Sequence, residues 1–152
     1  MDLILKEIAL SRGDHWKQQK VGEKREPAGN TTTKGYSIDI EQATVRETRY
    51  RRILKTYTGS MQLVTMSIPV GGDVPWERHD HNAQFIRVEA GRGVVQMGSR
   101  KGVVEESHPI RDGTAVIVPP GRWHYVRNTC SKNPLQLYTV YCPPVHHDDR
   151  AT

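Results

Sequence analysis

From Tyr36 onward the chain is a succession of short runs rich in β-branched and aromatic residues, each cut off by Gly, Pro, Asn or Ser, and this texture limits the possible folds more than any other feature. The runs predict strands near 49–57, 61–69, 74–80, 84–89, 93–98, 102–107, 114–118, 123–128 and 134–142. The breaks between them carry turn chemistry: Gly71-Gly72-Asp73, Gly91-Arg92-Gly93, the segment from Gly98 to Gly102, Pro119-Pro120-Gly121, and Ser131 to Pro134. No long amphipathic helix interrupts the series. Many short strands at regular spacing specify an all-β sandwich or barrel.

A chain of 152 residues suits one domain and buries roughly 68–70% of its extended surface, enough for a core without staples. Hydrophobic residues make up 36% and charged residues 26%, which places the chain among soluble globular proteins. No apolar run approaches the ~20 residues of a membrane span. The opening MDLILKEIAL is short and carries acids, unlike a signal peptide. Cys130 and Cys142 do not make a disulfide framework and are expected as free thiols in a reducing cytoplasm. The net charge of +5 is concentrated in Lys17 to Arg25 and in Tyr50-Arg51-Arg52 with Lys55, but it is scattered and partly balanced by acids. Without a basic stripe interleaved with aromatics or a recognition motif, neither nucleic acid nor a membrane is expected as a partner.

Three stretches follow from this texture. Residues 1–35 are expected to be an N-terminal extension or arm, because 11–35 is polar and rich in Gly, Lys and Thr. Residues 36–145 are the β-domain. Residues 146–152 read as a tail whose His146-His147-Asp148-Asp149 could bind a metal adventitiously.

The chemistry-bearing stretch is PWERHDHNAQF, Pro75 to Phe85. Residues i and i+2 of a strand share a face, so it offers two pairs: Glu77 with His79, or His79 with His81. Downstream lies Gly113-x5-Pro119-x-Gly121-x2-His124-x3-Asn128, a strand, a Pro-Gly turn and a returning strand with His124 just inside it. The two stretches together resemble the paired motifs of the cupin superfamily. The downstream motif matches that pattern at every position. Aligned by its glycines, the upstream one runs Gly71-x5-Glu77-x-His79-x4-Gln84-x6-Gly91, with Glu77 in the first His slot and Gln84 in the Glu slot. Taking His79-x-His81 instead leaves only Asn82 and Ala83 before Gln84 and displaces the upstream glycine. The resemblance covers about residues 60–142. A narrower likeness, to small cupins labelled mannose-6-phosphate isomerase-like, rests on the run from Ser37, on Gln84-Phe85-Ile86-Arg87-Val88-Glu89 and on Tyr138-Thr139-Val140-Tyr141 with Pro143-Pro144. Those relatives tend to read Asp-Gln-Phe where this chain has Ala83-Gln84-Phe85.

The resemblance implies a jelly-roll β-barrel or sandwich holding a divalent metal on Glu77, His79, Gln84 and His124, with His81 in a loop at the pocket mouth. Two imidazoles, one carboxylate and one amide oxygen leave coordination positions open, and Zn, Fe, Mn, Co or Ni tolerate such a set. The implied activity is isomerase-like, on a small polar molecule such as a sugar or sugar phosphate, with His81 or Tyr125 as the base and Arg78, Arg87 or Arg127 as phosphate contacts. Strand alternation, however, turns Arg87 outward. Two other readings use the same residues: an Fe(II)-dependent dioxygenase, and a non-catalytic small-molecule binding module. Trp76, Trp123, Tyr125 and Tyr141 either line the pocket or pack the core. Open sheet edges need covering, so a homodimer is expected.

Overall fold

In the computed structural model, residues 34–146 are described. The expectations for residues 1–33 and 147–152 lie outside them. Nine strands form two antiparallel sheets, and burial alternates with period 2 along several of them. One has the order β1 (Arg52–Tyr57), β2 (Met61–Ile68), β9 (Leu135–Cys142), β4 (Ala83–Ala90), β7 (Ala115–Val118). The other has the order β3 (Asp73–Glu77), β8 (Trp123–Asn128), β5 (Arg92–Gly98), β6 (Glu106–Arg111). The inward rows of the two sheets interdigitate as a jelly-roll β-sandwich, around Val64, Ile68, Ile86, Val88, Val95, Leu135 and Leu137. No helix among the described residues is long and apolar enough to cross a membrane. Cys130 and Cys142 are both free.

The one short helix of the described residues, α1 (Ile40–Val45), starts where the Asp39 side chain accepts the Gln42 N–H at 3.0 Å. It is tied to the larger sheet at its far end, where Gln136 Nε2 donates to the carbonyls of Val45 and Glu47. The buried Glu47 carboxylate in turn accepts the Thr48 and Arg49 amides and the Thr65 hydroxyl.

Two strands differ from expectation. The sixth lies at Glu106–Arg111 rather than 102–107. Val103 and Val104 look like strand residues but are exposed, in a loop closed by the Glu105 N–H on the Met97 carbonyl. Pairing with β5 starts only at Met97 and Glu106 and includes Pro109, which lacks an N–H. A proline fits there because, among the described residues, β6 is a sheet edge that pairs on one side only. The third strand ends at Glu77 rather than continuing to 80. His79 therefore belongs to the connection into β4, not to the strand that carries Glu77.

Gly93 shows how tightly the smaller sheet is built. A Cβ there would lie 2.3 Å from the Arg127 carbonyl oxygen and 2.8 Å from Leu135 Cδ2. Neither the β8 backbone nor the buried leucine can yield. Gly93→Ala is expected to cost about 3 kcal/mol of stability, read as a lower urea midpoint; an unchanged midpoint would show that β5 can move away from β8.

Candidate metal centre

The centre begins with a register. β3 and β8 run antiparallel with Glu77 opposite His124, so both side chains leave the same face of the smaller sheet toward the interior. His124 is buried, at 1% exposure. His79 reaches the same point by another route. The Pro-Gly turn before β8 puts the Gly121 N–H on the His79 carbonyl at 2.8 Å, with Gly121 at φ 78°. Only glycine takes up that backbone angle without strain. The turn of the downstream motif thus anchors the loop of the upstream one. Gln84 opens β4 in the facing sheet and is buried opposite Tyr141 of β9.

Three donors converge closely enough that they could hold a metal ion. His124 Nε2 lies 3.2 Å and His79 Nε2 3.5 Å from the same oxygen, Glu77 Oε1. The potential ligand atoms of the three residues all lie within 4.8 Å of one another. His124 Nδ1 is 3.1 Å from the Arg122 carbonyl, an acceptor, so Nδ1 carries the hydrogen. In the neutral ring Nε2 is then a lone pair facing a carboxylate oxygen. Two acceptors at that distance call for a positive charge between them, either a proton or a metal ion. Burial pushes the Glu77 carboxyl up, but hydrogen bonds and charge from His124 and His79 outweigh it and hold it at about 2. The carboxylate stays ionised through all ordinary pH. His79 Nε2 and Gln84 Oε1 are both buried without a hydrogen-bond partner. Buried polar atoms left without a partner are rare in folded proteins unless something else satisfies them.

Gln84 is oriented by its other atom. Its Nε2 donates to Thr139 Oγ1 at 3.0 Å and to the Tyr141 hydroxyl at 3.2 Å, which turns Oε1 the other way. Tyr141 stands edge-on to His79, with centroids 5.6 Å apart. Burial, then the Glu77 charge, raise its hydroxyl above the ordinary tyrosine range, so it stays protonated. Beyond it the wall continues into His146, which the sequence reading left to the tail. The His146 ring meets Tyr141 edge-on at 5.0 Å. Gln62 holds its backbone twice, at 2.7 and 3.0 Å, and Arg51 Nη1 lies 3.1 Å from its Nδ1.

The other expected residues lie elsewhere. His81 is exposed on the connection into β4 and is not part of the group. Tyr125 follows His124 along β8 and so faces away from it. Its ring stacks on Trp76 at 5.7 Å and its hydroxyl donates to Asp73 Oδ2 at 2.8 Å. Arg78 pairs with Asp80 and lies over Trp123, Arg87 pairs with Glu89, and Arg127 is exposed on the outer face of β8. The cation whose field reaches Tyr141 is instead Arg51. Thr139, Gln62 and His146 were not singled out for the site from the sequence. For Thr139 a signal existed: it is the polar member of the inward row Leu135, Leu137, Thr139, Tyr141, all buried. Gln62 and His146 carry no local signal. A separate open groove along β6 and β7, lined by Met97, Glu106, His108, Ile117 and Arg122 among others, does not include Glu77, His79 or His124.

Comparison with known proteins gives a family. A profile described as "Cupin domain" matches residues 64–141. The chain is 39% identical over 114 residues to the uncharacterized protein YrkC of Bacillus subtilis (strain 168), spanning 74% of this chain and 60% of that one. It is 32% identical over 111 residues to the uncharacterized protein L612 of Acanthamoeba polyphaga mimivirus, spanning 73% of this chain and 67% of that one. Among solved structures, BH2720 from Bacillus halodurans superposes with a TM-score of 0.72 at 43% identity, covering 76% of this chain and 86% of that one.

Proposed function

We propose, for a chain that belongs to the cupin family, that it holds a divalent metal on Glu77, His79, His124 and Gln84 and uses the remaining coordination positions to bind and activate a small polar molecule. One observation carries this reading. The lone pair of His124 Nε2 faces Glu77 Oε1 at 3.2 Å, with His79 Nε2 at 3.5 Å from the same oxygen and Gln84 Oε1 buried without a partner. With Nδ1 of His124 committed to the Arg122 carbonyl and Gln84 Oε1 left without a partner, a cation suits this group better than its members suit one another.

A bound divalent ion would supply Lewis acidity, polarising a carbonyl or adjacent hydroxyls of the ligand. The chain's own residues do the rest. Arg122 fixes the His124 tautomer through its carbonyl. Thr139 and Tyr141 hold the Gln84 amide so that its oxygen stays available. Tyr141 keeps a proton on its hydroxyl at the pocket wall, within hydrogen-bond reach of Gln84. With Tyr125 committed to Asp73 and His81 exposed, Tyr141 is better placed than either to hand a proton to a bound molecule. The likeness to mannose-6-phosphate isomerase-like cupins supports an isomerase-like reaction on a sugar or sugar phosphate. The set of two His and one carboxylate supports a second reading, an Fe(II) oxygenase. The free thiols agree with work in a reducing cytoplasm, and the sheet edges that β1, β3, β6 and β7 form among the described residues agree with a homodimer.

The test is metal analysis of untagged protein after dialysis, with Glu77→Ala beside it. Wild type should hold about one equivalent of divalent metal and the variant almost none, because the ligands are preassembled by the fold. A wild type that stays metal-free when offered Zn, Fe, Mn, Co and Ni in turn would sink the proposal. Oxygen uptake with Fe(II) but not with Zn would move the activity to the oxygenase reading.

A further inference from the structure

We infer that two copies of this chain pair through the outer face of the larger sheet. The inference rests on the homodimer reading above, moves the contact from the strand edges to a face, and does not depend on the metal. The observation behind it is one continuous row of side chains. Register sets Lys55 beside Leu63, Leu63 beside Val140, Val140 beside Phe85 and Phe85 beside Ile117, so the row crosses all five strands. Tyr141 and Gln84, the next residues along β9 and β4, are buried inside, so strand alternation turns Val140 and Phe85 outward. None of the four apolar members belongs to the buried core, and Ile117 is 69% exposed. The row on one side repeats the pattern: Tyr57 stands beside Met61, and Cys142 beside Ala83, with Met61 40% exposed. On the other side Tyr138 and Arg87 stand together.

Single apolar residues on a surface are ordinary, but a contiguous stripe across a whole sheet marks a contact. Charge, area and symmetry say with what. The central row carries no acid, and its one cation, Lys55, lies over the rings of Tyr36 and Tyr57, at 5.8 and 5.4 Å. A neutral centre built from Leu, Val, Phe, Ile and Met fits another protein surface of the same character and offers nothing to a phosphate backbone. Five strands about 4.8 Å apart and three outward rows about 6.8 Å apart outline roughly 500 Å² per copy. That is of the order each partner buries in a standard interface, about 800 Å². The far end of the same face is taken by α1, whose last turn is bonded to Gln136, and by Glu47, which accepts the Thr65 hydroxyl. β9 is the middle strand of the five, and Val140 the middle of the row. A two-fold axis lying in the interface, parallel to β9 and over Val140, sets the Leu63 side of one copy against the Phe85 side of the other. The face is then its own complement, apolar against apolar through its centre.

Size-exclusion with light scattering at micromolar concentration tests it. Wild type should run as a dimer. Leu63→Glu and Ile117→Glu should each weaken the dimer about a hundredfold or more and run as monomers, because a symmetric contact buries each added charge twice. Ile117→Val should stay dimeric. Neither position lies in the core, so circular dichroism and the urea midpoint should remain those of wild type. Cys142 is exposed in the single copy and reports on the face itself. Its labelling by a maleimide, located by peptide mass spectrometry, should be about tenfold slower in wild type than in Ile117→Glu, since it reacts only in the dissociated fraction. A dimer that survives both glutamates, with Cys142 labelled equally fast throughout, would overturn the inference and leave pairing to the strand edges. A wild type that runs as a monomer would overturn the homodimer reading with it, and slow labelling of Cys142 in that monomer would give the face to another segment of the same chain.

Discussion

His124→Ala is expected to strip the protein of stoichiometric metal, lowering affinity by more than the roughly 10–100-fold that loss of an outer partner costs. The imidazole is buried, its tautomer is set by the Arg122 carbonyl, and its Nε2 is 3.2 Å from the Glu77 oxygen. No neighbouring side chain can take its place from β8, since Tyr125 faces the other way. The informative control is His81→Ala. His81 is exposed on the connection into β4, so its loss should leave metal content unchanged. If His81→Ala empties the site and Glu77→Ala does not, the pairing of Glu77 with His79 is wrong and that of His79 with His81 is right. The pH dependence has a definite sign. Metal binding needs the imidazoles without their extra protons, so affinity falls as pH falls. Glu77, held at about 2, remains a carboxylate throughout and contributes nothing to that loss above pH 4.5.

A large stability effect outside the apolar core is expected at Asn128, the last residue of the downstream motif. It is 2% exposed, and its Nδ2 donates to the carbonyls of Ile68, Pro69 and Asn133 at 3.0, 3.1 and 3.0 Å, while its Oδ1 accepts the Cys130 N–H at 2.8 Å. One side chain thus joins the end of β2, the end of β8 and the loop that leads into β9. Asn128→Ala leaves those backbone groups unsatisfied and is expected to cost about 3 kcal/mol, seen as a lower urea midpoint at unchanged slope. Asn128→Asp has nearly the same shape but presents a carboxylate to three carbonyl oxygens with no hydrogen to donate. It should be at least as damaging at neutral pH. An aspartate variant as stable as wild type would mean that the cavity, not the hydrogen bonding, matters at this position.

Most of the architecture was legible because it is local. Turn residues such as Gly91 and Gly121 adopt positive φ where they stand, and β-rich runs between them become strands whatever they pair with. The sixth strand was misplaced for the opposite reason. Val103 and Val104 have strand propensity, but pairing begins only where the β5 backbone offers a partner, at Met97 opposite Glu106. Propensity is local and pairing is not. The same distinction governs the site. That Glu77, His79 and His124 are donors is a property of the side chains, whereas His79 lies beyond the end of its strand and reaches Glu77 only because the Gly121 N–H holds its carbonyl. His146 is a more extreme case. It sits 84 residues from Gln62, which clamps its backbone, and nothing near it in the chain foretells that contact.

The sequence by itself determined the kinds of element and the kinds of donor, because turn geometry, strand propensity and acid–base character belong to individual residues and their near neighbours. The tertiary structure alone decided which donors meet. Register between β3 and β8 sets Glu77 against His124, a turn amide carries His79 to them, and the facing sheet supplies Gln84 with its amide oriented by Thr139 and Tyr141. Each of these depends on hydrogen bonds between residues far apart in the chain, whose partners only the closed sandwich brings into reach.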